Sequence, residues 1–335
     1  MFTHFQDYAA SVKPAIDSAF AGELARVLGQ DGAAPKIEGL PSLTAGKKLR
    51  GTLLCLVAAA RGGSLAEALP GAVAIELIQT ATLLHDDFVD QHRERRRLPS
   101  LWTLQGARRA VLLGDVIFSS AIHMMGEKGR EEGLIVARVI AEISRGAYQE
   151  PIDPTALLAA LDEGCESAIY EKIIDLKTAA LFGAACQLGA LAAGAENEQQ
   201  RSWHRYGLRI GQAYQLADDL QDVERVLARG EATPAEMTGL VPALRFFIPD
   251  CRSFLPQALH APSTRLNGEV REYFLALATL LAGERERRLE QALEAVKGGA
   301  GGMTVPLAEL TRRAPRDIIG VFEANEALSP VACPP

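Results

Sequence analysis

Residues 65–90 read LAEALPGAVAIELIQTATLLHDDFVD, and this stretch decides the fold. Its apolar side chains recur at three and four, with none of the strict alternation a half-buried strand needs. They cover most of the circumference, which predicts a helix central in a bundle. The stretch ends in His85-Asp86-Asp87-Phe88-Val89-Asp90. Trp203 to Val226 has the same character and carries Asp218-Asp219-Leu220-Gln221-Asp222. Ser167 to Ala193 is a third such run and holds Ile173-Ile174-Asp175-Leu176-Lys177-Thr178-Ala179.

Elsewhere Ala, Leu, Glu and Arg dominate, and Gly and Pro punctuate the helical periods. The breaks fall at Gly29 to Pro35, Gly62-Gly63, Gly126 to Gly133, Pro151 to Pro154, Gly194 to Glu198 and Gly298 to Gly302. The pattern predicts an all-α, single-domain bundle of about ten or more helices over residues 1–297. Residues 298–335 form a Gly-rich link and a tail that either docks as a last helix or stays mobile. No internal repeat is present, although the two aspartate helices are candidates for distant structural echoes.

With 335 residues, 48 % of them hydrophobic, the chain has ample material for a core. A net charge of −7 argues against a nucleic-acid partner, which selects a basic field. Cys55, Cys165, Cys186, Cys251 and Cys333 show neither metal spacing nor a disulfide pattern, which predicts reduced thiols and a cytoplasmic protein. The start of the chain shows no basic region leading into an apolar run, so no signal peptide is expected. Charges are read as interrupting every apolar window before the roughly 18 residues a membrane span requires, so no transmembrane segment is expected.

The acid clusters carry the chemistry. Asp86 and Asp90 stand at i and i+4 on one helix face, as do Asp218 and Asp222. Carboxylates so stacked on partly buried helices repel unless a cation lies between them. Oxygen-only ligand sets favour a hard ion, and Mg²⁺ completes its shell with waters and substrate phosphates. Two such walls facing each other would hold a diphosphate. Arg95, Arg96 and Arg97 follow the first cluster, either as a solvated turn or as a clamp for phosphate oxygens. Gly46-Lys47-Lys48-Leu49-Arg50 opens another helix, where cations either solubilise the helix end or meet an anion. Lys177 either snorkels to the surface or faces a polar cavity. His85 points off the Asp86/Asp90 face by helical phase, and the other histidines lack partners in sequence.

The order Gly46-Lys-Lys-Leu-Arg50, Glu76-Leu-Ile-Gln79, His85-Asp-Asp-x-x-Asp90 with x4-Arg-Arg, Gly114-Asp115, Lys177-Thr178-Ala179, and Tyr214-Gln215-x-x-Asp-Asp-x-x-Asp222 resembles the trans-isoprenyl diphosphate synthases, or polyprenyl synthetases. The resemblance covers about residues 44 to 224. It implies an isoprenoid synthase fold around a deep central cavity and a Mg²⁺-dependent head-to-tail prenyltransferase, acting as a homodimer. Asp86, Asp90 and Asp218 would hold three Mg²⁺ on an allylic prenyl diphosphate, with Asp87, Asp219 and Asp222 orienting waters and ligands. Arg95 and Lys177 would grip that diphosphate. Lys47, Arg50, Gln79 and Arg96 would hold isopentenyl diphosphate, and Thr178 and Gln215 would line the cavity near the reacting carbons. Product length would be set beneath the first cluster, where Ala81 and Thr82 are small and Ile78 and Ala74 follow one and two turns back. This favours C20 or longer.

The chain departs from the family pattern in several places. No lysine occurs between Lys177 and Lys297, where the family has a Gly-Lys-rich stretch, leaving Arg225 and Arg229 as the nearby cations. Arg97 stands where a Gly follows the arginine pair, Lys48 where an Arg is usual, Gly51 in place of Pro, and Ala147 where an acid is usual. Two alternatives remain open at this level. A class I terpene cyclase uses the same ionisation but has no second diphosphate for Lys47, Arg50 and Arg96. A non-catalytic partner subunit fits the missing lysines but not the intact aspartates.

Overall fold

The computed structural model of the chain describes residues 2–29, 45–150, 166–297 and 305–326. The predicted breaks at Pro151–Pro154 and Gly298–Gly302, most of that at Gly29–Pro35, and Cys165 and Cys333 lie outside these residues. What is described is all-α apart from two pairs of two-residue strands. It divides into two compact units, each drawing on non-contiguous segments.

The first unit comprises Met1–Glu142, Leu181–Gly207 and Glu294–Ala314. Its central element is the Leu65–Val89 helix, packed against helices Phe5–Val27, Leu49–Ala60 and Ala107–Lys128. Ser64 starts that helix with a capping box: its hydroxyl accepts from the Glu67 N–H, and the Glu67 carboxylate accepts from the Ser64 N–H at 2.9 Å. Ile75, Leu77, Ile78 and Ala81 are fully buried, as are Leu53, Leu54 and Leu56 beside them. Phe5, Ile16 and Phe20 complete this core from the first helix. Trp203 and Tyr206 meet edge to face, and the Tyr206 hydroxyl donates to the Thr311 carbonyl at 2.6 Å.

The second unit comprises Ile143–Ala180, Leu208–Leu293 and Pro315–Pro335. Its core gathers Leu216, Leu220 and Val223 from the Asn197–Arg229 helix, Met237, Val241 and Leu244 from Pro234–Phe247, and Phe274, Leu277 and Leu281 from Gly268–Lys297. The tail that the sequence leaves open between docking and mobility is helical from Val305 to Glu326. Ile319 of that helix is buried with Ala213, Ala217 and Leu289, and Phe322 meets Tyr214 edge to face at 4.9 Å.

Two local features depart from simple helix. Between Glu166–Lys172 and Ala180–Ala192 the chain forms a π-helix, Ile173–Ala179. After Val89, Glu94–Arg95 pairs antiparallel with Leu98–Pro99, leaving Arg96 and Arg97 as the turn with φ of 53° and 63°. Two successive positive φ values mark a type I′ hairpin turn, whose twist suits the flanking strands.

One expectation is corrected. Leu65–Val89, Ala107–Lys128 and Ile169–Ala192 are each long and apolar enough to cross a membrane, by length and composition. Each carries a charge or two inside its apolar run, as with Glu76 in the first and Asp115 in the second, and so few do not break an 18-residue window. Of these windows 67 % and 72 % are buried in the first and third helices, against 28 % in Ala107–Lys128.

Candidate active site

Each unit carries one acid cluster. In the first, Asp86 and Asp87 lie in the last turn of the Leu65–Val89 helix and Asp90 is its C-cap. The Asp90 N–H donates to the Asp86 carbonyl at 2.8 Å, so the two residues keep their stacked register. Asp86 is half-buried and Asp90 exposed, whereas Asp87 is only 2 % exposed. The hairpin turns Arg95 back onto Asp87: Nε and Nη2 donate to Oδ1 at 2.8 and 2.6 Å. Asp87 Oδ2 is buried with no hydrogen-bond partner. His85 is turned away as its phase requires, its Nε2 lying 3.0 Å from the Val111 carbonyl.

Two cations of the first unit, Lys48 and Arg96, feel the charge of Glu76, which lies ten residues before Asp86. Glu76 is buried and its Oε1 accepts from the Gly51 N–H at 2.8 Å. A proline at 51 has no N–H to give, so this departure from the family pattern supplies a bond. Lys48 is buried, its ammonium 3.8 Å from the Phe20 ring centroid. Burial lowers its pKa, with Glu76 and Asp17 opposing. The Arg50 guanidinium lies 4.4 Å from the Phe182 ring centroid. Arg96 reaches the Gly-Lys-Lys lead-in, where a Cβ added to Gly46 would stand 3.2 Å from its Nη2. Lys47 and Arg97 are exposed. Gln79 is partly exposed and lies seven residues before Asp86, hence on the same helix face. Ile78, Ala81 and Ala74 are fully buried, and the Thr82 hydroxyl donates to the Gln79 carbonyl at 2.8 Å.

In the second unit a hydrogen-bonded row links three of the expected residues. Thr178 Oγ1 donates to Gln215 Oε1 at 2.7 Å, and Gln215 Nε2 donates to Asp219 Oδ1 at 2.9 Å. The buried Tyr170 closes the row, its hydroxyl donating to Asp219 Oδ2 at 2.6 Å. Lys177 is one-quarter exposed and donates to Glu150 Oε2 at 2.6 Å. Glu150 thus places a carboxylate one turn beyond Ala147. The π-helix that presents Lys177 and Thr178 needs room at Gly146, where a Cβ would lie 2.8 Å from Leu176 Cβ and 3.1 Å from the Lys177 nitrogen. Arg225 pairs with Asp222, while Arg229 is held by Glu236 in the capping box that starts Pro234–Phe247.

The electrostatics of this second cluster fit a hard cation. Burial, and then the Asp222 charge, push the Asp218 carboxyl up to about 6 against the pull of Arg225. Burial pushes Asp219 up to about 7, although the Tyr170 and Gln215 bonds favour its charged form. Asp222 is also raised by burial. Carboxylates held above their ordinary range gain most from a divalent ion, and every ligand on offer is oxygen. Asp87 Oδ2 is a similar unsatisfied acceptor in the first cluster. Among the described residues no three His, Cys, Asp or Glu side chains converge as a ready-made cage. The arrangement therefore suits Mg²⁺, which is commonly held by one or two carboxylates plus substrate phosphates.

Sequence reasoning missed Tyr170 and Glu150 and gave Glu76 no role. Tyr170 meets Asp219 across 49 residues of sequence, so its phenol reads as core. Glu150 meets Lys177 only through tertiary packing and left no signal.

The chain is similar to known proteins. The polyprenyl synthetase family model matches residues 41–228. The (2E,6E)-farnesyl diphosphate synthase of Mycobacterium tuberculosis is 35 % identical over 175 residues, which are 52 % of this chain and 48 % of that protein. The geranylgeranyl diphosphate synthase of Methanosarcina mazei is 32 % identical over 193 residues, 55 % of this chain and 58 % of that protein. The chain thus spans about half the length of the curated relatives it matches. Among solved structures, a Caulobacter crescentus polyprenyl synthase complexed with calcium and isoprenyl diphosphate has a TM-score of 0.66 at 25 % identity, covering 95 % of this chain and 98 % of that one. A decaprenyl diphosphate synthase from Rhodobacter capsulatus reaches 0.71 at 24 % identity, covering 95 % and 99 %. The family match runs through both acid clusters and the cations around them, from Lys47 to Asp222, and on that ground the chain belongs to the polyprenyl synthetase family.

Proposed function

We propose that the chain is a Mg²⁺-dependent trans-prenyltransferase. It joins isopentenyl diphosphate head to tail to an allylic prenyl diphosphate, releasing diphosphate and a trans-polyprenyl diphosphate of C20 or longer. The carrying observation is that the cations form two sets: Arg95 on Asp87 and Lys177 on Glu150, one beside each acid cluster, and separately Lys48 and Arg96 beside Glu76. Two diphosphates need two such sets; a cyclase acts on one. Relatives named for farnesyl, geranylgeranyl and nonaprenyl diphosphate synthesis support the same reaction class.

On this reading Asp86, Asp90 and Asp218 hold three Mg²⁺, with Asp87, Asp219 and Asp222 behind them. When bound, the ions neutralise charge on the leaving diphosphate. Arg95 and Lys177 aim further charge at those oxygens before the C–O bond breaks. Lys47, Arg50, Gln79 and Arg96 hold isopentenyl diphosphate so that its double bond meets the cation. Thr178 and Gln215 stand beside the reacting carbons, fixed by their tie to Asp219. Ile78 and Ala81 supply an apolar wall that keeps water from the cation. The proton released on bond formation passes to the departed diphosphate, so no side-chain base is required.

The protein acts as a homodimer. Ala107–Lys128 supports this, with Leu112 50 %, Val116 45 % and Ile122 37 % exposed on a helix otherwise suited to burial. Buried free thiols at Cys55, Cys186 and Cys251 support a cytoplasmic setting.

The test is to incubate the purified protein and Mg²⁺ with isopentenyl diphosphate and each of dimethylallyl, geranyl and farnesyl diphosphate, and to size the products. Elongated diphosphates support the reading. A cyclised hydrocarbon from an allylic diphosphate alone points to a cyclase, and product formation only beside a second synthase points to a partner subunit. Ala81→Phe shortens the product; an unchanged length refutes this account of the cavity floor.

A further inference from the structure

The first unit has a cleft of about 160 Å³ whose lining includes no residue of either acid cluster. Its polar lining comes from three helices: Arg138 and Glu142 of Arg130–Gln149, Gln187 of Ala180–Ala192, and Arg201 and His204 of Asn197–Arg229. Two guanidinium groups and an imidazole face one carboxylate. Among the described residues neither Arg138 nor Arg201 enters an ion pair, although Glu142 lies one turn from Arg138.

His204 is packed into this cleft by an unusual neighbour. Its ring lies against Gly183, where an added Cβ would come within 2.9 Å of Cε1. Its Nδ1 is buried with no hydrogen-bond partner. Burial first, and then the charge of Arg138 with that of Arg205, hold His204 below its ordinary range, with the Gly183 backbone opposing. The cleft thus holds two arginines, a neutral imidazole with an unused nitrogen, and one carboxylate against them. A planar guanidinium matches a tetrahedral oxyanion in paired hydrogen bonds. The space is ample for such an anion and its waters, since one water needs only about 10–15 Å³ on this measure.

We propose that this cleft binds an oxyanion of the phosphate class, with Arg138 and Arg201 carrying the charge and His204 adding a third donor. The anion offsets the Arg138 charge that His204 faces and so favours protonation of His204. Proton and anion therefore promote each other's binding. The site stands on the cleft alone and does not depend on the reaction proposed above.

The experiment follows the histidine resonances of the full-length protein by NMR between pH 5 and 8, identifying His204 by the signal lost in His204→Gln. Sulfate is the first probe, because its charge is constant across this range. Sodium chloride at equal ionic strength is the reference. The His204 midpoint is expected to rise by about one pH unit in sulfate over chloride, and this rise is lost in Arg138→Gln/Arg201→Gln. Equal midpoints in the two salts, or a rise that survives the double substitution, overturn the proposal. Both arginines are exposed, so the variant is expected to fold; the single Arg201→Gln, which should halve the response or more, is an independent reading. Parallel titrations with inorganic phosphate, diphosphate and glycerol phosphate tell a free inorganic ion from an organic phosphate headgroup.

Discussion

Asp219 accepts from Gln215 at one oxygen and Tyr170 at the other, which makes it a holder of the second cluster's geometry. Tyr170→Phe removes one donor to a charged acceptor, an interaction worth about 1.5–3 kcal/mol. Turnover is expected to fall roughly 10- to 100-fold with KM nearly unchanged; wild-type steady-state kinetics in the variant would show that Asp219 needs no such support. Asp218 gives a pH signature. Its carboxyl titrates at about 6 in the fold against 3.8 as a free side chain, so the metal-free folded state binds its proton more tightly than the unfolded state. Its contribution to stability is present below about pH 4 and is lost as pH rises through 6, a change of ~3 kcal/mol. Urea midpoints of chelator-treated protein should therefore fall over this window, and fall less in Asp218→Asn. Parallel curves for the two proteins would remove Asp218 from the account. The aspartates themselves were legible because their i, i+4 spacing encodes a shared face. Tyr170 was not, because its phenol reads as core until its partner is known.

Helices were legible wherever period and punctuation agreed, as at Gly62-Gly63 before Leu65–Val89 and within Gly126 to Gly133 after Ala107–Lys128. Two elements were not. The π-helix Ile173–Ala179 has ordinary helical composition, and its widened turn shows only once Gly146 lies against Leu176. The hairpin after Val89 lacks the Asn or Gly that announces a type I′ turn, since Arg96 and Arg97 occupy both left-handed positions. Strain at such a residue costs about 1–3 kcal/mol, whereas a glycine adds about 0.4–1 kcal/mol of unfolded-chain entropy. Arg97→Gly should then stabilise the protein by about 1 kcal/mol without moving Arg95 from Asp87. Denaturant melts decide this: a less stable variant would mean that the Arg97 side chain makes a compensating contact.

At the scale of the whole molecule, the balance of covered and uncovered apolar surface is informative. Leu65–Val89 is hidden within the first unit, whereas Ala107–Lys128 keeps Leu112 and Val116 exposed four residues apart. If a second copy covers that stripe, Leu112→Glu/Val116→Glu yields monomer by light scattering and an unaltered circular dichroism spectrum; a persistent dimer would place the contact elsewhere. Hydropathy alone does not separate a membrane-crossing helix from one clothed by protein, and a lone charge such as Glu76 does not break an apolar window as the sequence reading supposed. A last point concerns the resting state of the cations. Arg95 leans on Asp87, Lys177 on Glu150 and Arg225 on Asp222. On the proposed reaction, an arriving diphosphate trades places with these carboxylates instead of landing on naked charge, so its affinity is a difference between two ionic partnerships. Asp87 and Asp222, stripped of their arginines by the exchange, become hungrier for a divalent ion, and uptake of substrate and metal is thereby yoked together.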